Sequence, residues 1–289
     1  MEQISFRVGS TERMAYRSPR QMDLCKRLII GLHGTGGHPL LMNRASRLEA
    51  AFPQDTEIIY LAAQRQGRLT RWDWSSGADH DFISVVIEKY LSQDIHNNQV
   101  FIVGVSNGGC FGQLYASRST VSIGGFAAVS SGFPAEIDAT EQENTNQPAS
   151  IRKIVLVNSI GDPIVPYNGG GIESDNGLFV RSHSEGFNYW INRLSAKEAS
   201  ISEKDIARLI FSTENIEYKY YVGMGSDKSE LLSVSVRSRC HGWDLLDSPS
   251  EESGRSRGRT ARRRGNGISL ERSRVPRVSE LIRDFLISS

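Results

Sequence analysis

Gly104-Val105-Ser106-Asn107-Gly108 forms a G-x-S-x-G at the end of an apolar run, Val100 to Val105, and ahead of a helically spaced segment holding Phe111, Leu114 and Tyr115. Glycines around a serine suit a sharp, strained strand-to-helix turn. A side chain at 104 or 108 would collide with neighbouring backbone, and the turn lifts the serine hydroxyl above the sheet. The plain alternative is a glycine-rich helix start; the strand before and the helix after favour a nucleophile at Ser106. A serine hydroxyl is a poor nucleophile at neutral pH. It needs a histidine to take its proton and a carboxylate to hold that histidine in the useful tautomer.

On a strand–turn–helix corner of this kind the partners follow in the order serine, acid, histidine. Of the six histidines only His183 and His241 lie beyond Ser106. His241 follows the alternating run Leu231 to Val236 in a glycine-containing loop, where catalytic groups are usually carried, and is the favoured general base. His183 opens a helix and reads as a surface residue. Asp162 stands after the apolar run Ile154 to Val157, in the turn Gly161-Asp162-Pro163. An aspartate between Gly and Pro is as readily a turn former as an acid. Asp138, Asp175, Asp244 and Asp247 compete with it, the last two lying too near or beyond His241.

Acyl transfer also needs donors aimed at the developing oxyanion, each worth about 3 kcal/mol. One source is the backbone N–H of Asn107. The other is the loop His33-Gly34-Thr35-Gly36-Gly37, with Thr35 as the expected donor and His33 as a brace. A phosphate-binding turn is the alternative for this loop, but it lacks the P-loop lysine and the G-x-G-x-x-G spacing. Trp72 and Trp74, in Arg-Trp-Asp-Trp, and Trp243 beyond the histidine are candidate substrate-binding residues that could wall an acyl or aryl pocket; core packing is the competing role for the first two.

The elements that must position these groups alternate between β-rich and helical patterns, which predicts an α/β fold with a mostly parallel central sheet flanked by helices. Strands are expected at Ile4–Val8, Met14–Arg17, Arg27–Leu32, Ile58–Ala62, Val100–Val105, Gly124–Val129, Ile154–Val157, Glu217–Val222 and Leu231–Val236. Helices are expected at Asp81–Leu91, from a capping box at Ser182 and Glu185 through Leu194, and over Val278–Leu286. The polar stretch from Asp138 to Ser150 reads as a surface loop.

The chain has 289 residues, 38% of them hydrophobic, and a formal net charge of +1. That supports a sizeable core and excludes a whole-molecule electrostatic partner. One domain spanning 1–289 is expected. Within it, Ser248 to Arg274 is rich in Arg, Ser and Gly; it reads as a solvated insertion, or alternatively as a basic patch for nucleic acid or another polyanion. Cys25, Cys110 and Cys240 cannot all pair and show no CxxC spacing, so metal and redox chemistry are not expected. Cys110 reads as a small buried hydrophobe. No run approaches the roughly 18 apolar residues of a membrane span. The first residues lack the features of an export signal, so the expected compartment is the cytoplasm, or the exterior if the start lies upstream.

Taken together, Leu32-His33-Gly34-Thr35-Gly36-Gly37, Gly104 to Gly109 (GVSNGG), Gly161 to Gly170 (GDPIVPYNGG) and the helix at Ser184 to Leu194 with Trp190 resemble the polyhydroxybutyrate depolymerase and feruloyl esterase group of α/β hydrolases. The resemblance covers most of residues 25–245 and returns at Val278 to Leu286. It implies an α/β-hydrolase fold, Asp162 as the triad acid, no cofactor, and hydroxyalkanoate oligoesters or feruloyl-type aryl esters as substrates. The family's Trp-Pro-Gly type sequence after its histidine is replaced here by His241-Gly242-Trp243-Asp244, and the Arg-rich stretch is foreign to the pattern. The expectation is a serine esterase working through an acyl-enzyme. A serine peptidase of the same fold and an inactive hydrolase-fold binding module are the alternatives.

Overall fold

Strands whose residues are apolar in succession, rather than alternately, belong at the centre of a parallel sheet covered on both faces. The computed structural model describes residues 1–18, 25–93, 95–137, 150–173, 177–199, 215–224, 229–246 and 277–287, and it places such runs in the middle of a ten-stranded sheet. The hairpin β1 (Glu2–Val8) and β2 (Thr11–Arg17) forms one margin. The centre is built from β3 (Arg27–Leu32), β4 (Thr56–Leu61), β7 (Val100–Val105), β8 (Ile123–Val129), β10 (Ile151–Ser159) and β15 (Glu230–Val236). β14 (Ile216–Gly223) and β13 (Ala196–Glu198) close the other margin.

The spatial order is β1-β2-β4-β3-β7-β8-β10-β15-β14-β13. All neighbours from β4 to β15 pair in parallel, and the margins pair antiparallel. Two short pieces stand apart: the hairpin β5 (Arg65–Gln66) with β6 (Leu69–Thr70), and a three-stranded patch of β9 (Phe133–Pro134), β12 (Leu178–Arg181) and β11 (Gly170–Ile172).

Each sheet face carries its own core. On one, α3 (Ala78–Leu91), α4 (Asn107–Arg118) and α5 (His183–Arg193) bury Phe82, Phe111 and Trp190. On the other, α1 (Pro39–Ser46), α2 (Leu48–Ala51) and α6 (Val278–Ile287) bury Met42, Leu48 and Leu281. At α5, Ser182 Oγ accepts the Glu185 N–H while the Glu185 carboxylate accepts the Ser182 N–H, the expected capping box. Among the described residues no helix is long and apolar enough to cross a membrane. The expected loop over 138–149 and the Arg-rich stretch 248–274 lie outside the described residues.

Candidate active site

The candidate residues Ser106, Asp162 and His241 follow the C-terminal ends of three central strands, β7, β10 and β15, the usual place for a site in a parallel α/β sheet. Ser106 directly follows β7 and caps α4 with φ 55° and ψ −127°, a strained conformation that a non-glycine residue keeps only when its surroundings enforce it. The enforcement is visible. Ser106 N–H donates to Val129 O at 2.9 Å, and a Cβ at Gly104 would lie 2.3 Å from Gly108 O. A Cβ at Gly108 would lie 2.3 Å from Leu32 O. Both glycines are therefore required by close backbone approach, the reason the sequence reading gave for them.

Asp162 and His241 come together from β10 and β15. His241 Nδ1–H donates to both Asp162 oxygens, at 2.8 and 3.0 Å, while Asp162 Oδ1 also accepts the N–H groups of Ile164 and Val165 at 2.8 and 2.9 Å. The carboxylate is 3% exposed and the imidazole 17%. A proton on Nδ1, held by the carboxylate, leaves the Nε2 lone pair able to accept a proton. The two loops are joined below the pair. Ser159 Oγ hydrogen-bonds Ser238 O and Ser238 Oγ, and Gly161 N–H donates to Ser238 O at 3.0 Å.

Register and one hydrogen-bond pair tie the histidine loop to the strand end beside Ser106. Val105 pairs with Val129, so Ser130 is the neighbour of Ser106 at the next strand end. Ser130 Oγ accepts the Gly242 N–H at 2.8 Å and donates to Gly242 O at 3.4 Å. The residue after His241 is thus fixed to the residue beside Ser106. Gly242 adopts φ +102°, which the turn requires of a glycine.

The loop at 33–37 lies against the serine: a Cβ on Gly34 would meet Ser106 Cβ at 3.1 Å. Gly37 N–H closes onto Gly34 O at 3.0 Å, Gly36 N–H donates to Thr70 O at 2.7 Å, and Thr70 Oγ1 donates to Gly37 O at 2.7 Å. Thr35 sits at the crest of this turn, and Asn107 opens α4 directly after the serine. His33 braces the loop as expected. Its Nδ1–H donates to Gly34 O at 2.8 Å and its Nε2 accepts the Ala63 N–H at 3.2 Å.

No family model and no curated protein matches the chain. Solved structures do. The acetyl xylan esterase from Aspergillus awamori superposes with a TM-score of 0.54 over 84% of this chain and 94% of its own, at 13% identity. The chain has the α/β-hydrolase fold. Esterase PE8 matches 53% of this chain and 77% of its own at 15% identity, TM-score 0.41, and SOBER1 from Arabidopsis thaliana matches 49% and 77% at 16%, TM-score 0.42.

Within this fold the three tryptophans lie in different surroundings. Trp72 and Trp74 are 1% and 6% exposed and belong to the core cluster, the competing role, and both also line a cleft of about 350 Å³ with Arg71, Asp73 and Arg118. Trp243 packs against the opposite core and lines a small cleft of about 70 Å³ with Ser46, Arg47 and Val278, on the α1 and α6 side of the sheet. His183 is no surface residue. Asn158 Nδ2–H donates to its Nδ1 at 2.9 Å, its Nε2–H donates to Ser233 Oγ at 2.8 Å, and its ring stacks on Tyr167. With both nitrogens engaged it has no lone pair to offer a serine. Asp244 is exposed beyond the histidine, and Asp138, Asp175 and Asp247 lie outside the described residues. Among the described residues no three His, Cys, Asp or Glu side chains cluster as a metal site.

Burial pushes both His33 and His183 down to about 4; the Gly34 carbonyl partly offsets the effect at His33, and Lys219 adds to it at His183. Unfolding returns each to about 6.5, so below that pH the unfolded chain binds more protons than the folded one. The stability held at neutral pH is expected to fall between pH 6.5 and 4, by about 3 kcal/mol for each histidine. Urea midpoints measured across this window should drop less steeply for His183→Asn than for the parent. Parallel slopes would contradict the assignment.

Proposed function

We propose that the protein is a serine hydrolase that cleaves carboxylic esters through an acyl-enzyme. The observation carrying this reading is the strained Ser106 corner, with the Asp162-bound His241 loop tied to the adjacent strand end through Ser130. Ser106 Oγ attacks the ester carbonyl and its proton passes to His241 Nε2, forming a tetrahedral oxyanion that the N–H groups of Asn107 and Thr35 receive. The carbon–oxygen bond to the alcohol then breaks, and the leaving alkoxide takes the proton from His241. Water attacks the acyl-enzyme with His241 again as base, and the acid departs as Ser106 recovers its proton. Asp162 accepts the Nδ1–H throughout and holds the imidazolium as it forms.

As substrates we assign hydroxyalkanoate oligoesters or feruloyl-type aryl esters, on the motifs at 32–37, 104–109 and 161–170. The fold shared with an acetyl xylan esterase adds polysaccharide acetyl esters to the set worth testing. The test is a panel: p-nitrophenyl acetate, a 3-hydroxybutyrate trimer, methyl ferulate, acetylated xylan and peptide p-nitroanilides. Turnover of at least one ester with no cleavage of the anilides is expected. Cleavage of peptide amides with inert esters would replace the esterase by a peptidase.

A further inference from the structure

Trp72 makes two hydrogen bonds that no sequence pattern predicts. Its indole Nε1–H donates to His33 O at 2.8 Å, and its backbone N–H donates to Asn107 Oδ1 at 2.9 Å. His33 begins the loop that presents Thr35, and Asn107 carries the second proposed oxyanion donor. One residue therefore binds both donor-bearing segments, which come from the ends of different strands, β3 and β7.

The mount is rigid. The Trp72 ring stacks on Phe111, with centroids 5.5 Å apart and planes at 12°, and lies 5.5 Å from the His33 ring. The following residue is held as well. Asp73 N–H donates to Asp79 Oδ2 at 2.7 Å, and Asp79 forms a buried ion pair with Arg13 of β2. Arg13 and Asp79 are 3% and 1% exposed, so this support is shielded from solvent.

We infer that Trp72 is a positioning residue that sets the spacing of the Thr35 and Asn107 donors. The inference rests on the serine hydrolase reading of the site. Oxyanion stabilisation depends on donors held about 3 Å from where the charge develops, so a loop freed at His33 loses transition-state binding before it loses substrate binding. Simple satisfaction of buried N–H groups makes a different prediction, because it ties Trp72 to stability alone.

The experiment compares Trp72→Phe, which keeps an aromatic ring on Phe111 but removes the Nε1–H, with Phe111→Leu, which weakens the stack and leaves both hydrogen bonds. Each protein is normalised to its titratable serine. For Trp72→Phe, kcat should fall about 10- to 100-fold with KM within about 3-fold, and the Ki of a trifluoromethyl ketone should rise by the same factor as kcat falls. That inhibitor forms a Ser106 hemiketal whose oxyanion occupies the donor site. Phe111→Leu should lower Tm and leave both constants within about 3-fold of the parent. If Trp72→Phe does not fold, benzothienylalanine at 72 supplies the same shape without the N–H and carries the same expectation. Unchanged kcat and Ki in the folded variant, or an equal kcat loss in Phe111→Leu, would overturn the positioning role. A parent protein with neither ester turnover nor serine labelling would instead overturn the hydrolase reading on which it stands.

Discussion

Replacing Ser106 with alanine is expected to remove ester turnover, with kcat lower by about a million-fold, because no acyl-enzyme can form and only binding and the oxyanion donors remain. Thermal unfolding should stay within about 2 °C of the parent. The φ of 55° is as costly for alanine as for serine, and among the described residues the Ser106 hydroxyl makes no hydrogen bond that the substitution would break. Steady-state rates on p-nitrophenyl acetate and a melting curve suffice for the comparison. Turnover within tenfold of the parent would remove Ser106 from the chemistry. A large drop in Tm would make it a structural residue.

The second large effect concerns a residue with no side chain. In Gly108→Ala the new Cβ falls 2.3 Å from Leu32 O and 2.5 Å from His33 O, both backbone atoms at the end of β3. Neither can yield without shifting α4 against the sheet or moving the loop that presents Thr35. A stability loss of about 3 kcal/mol is expected, together with a fall in kcat/KM of at least about a hundredfold, since the nucleophile and its donors separate. Gly171→Ala is the control: a Cβ there meets nothing within 4 Å, and stability should change by less than about 0.5 kcal/mol. Urea titration and active-site titration of the two variants separate fold from function. Equal behaviour would contradict the close-packing account of the corner.

What could be read from the chain alone depended on how local the determining physics is. β3 and β7 have the expected boundaries, because a run of apolar residues closed by polar ones states its own limits. α3 begins three residues earlier than its apolar periodicity suggests, behind a glycine N-cap that makes no side-chain hydrogen bond. The eight-residue α1, the four-residue α2 and the two- to four-residue strands β5, β6, β9, β11 and β12 are too short to show a period, and contacts with the rest of the fold decide them.

The same division holds at the site. Ser106 and His241 can be named as candidates because the order of the motifs along the chain restricts the choices, and the turn motif around Asp162 narrows the choice of acid. Ser130 and the Ser159–Ser238 link cannot, because their roles arise from which strands become neighbours: β7 beside β8, and β10 beside β15. An indole suits a pocket wall and a core equally, so the sequence leaves both roles open for Trp72; its two donors and its burial add the structural links to His33 and Asn107.

The central claim is that Ser106 is made nucleophilic by His241, and a fluorophosphonate probe tests it directly. Serine attack on phosphorus expels fluoride, the proton goes to the imidazole, and a stable adduct marks the residue that reacted. Intact-mass and peptide mass spectrometry should find one adduct per chain, on Ser106, forming at least about a thousandfold more slowly in His241→Gln. An adduct on another residue, or a rate indifferent to the loss of His241, would contradict the account.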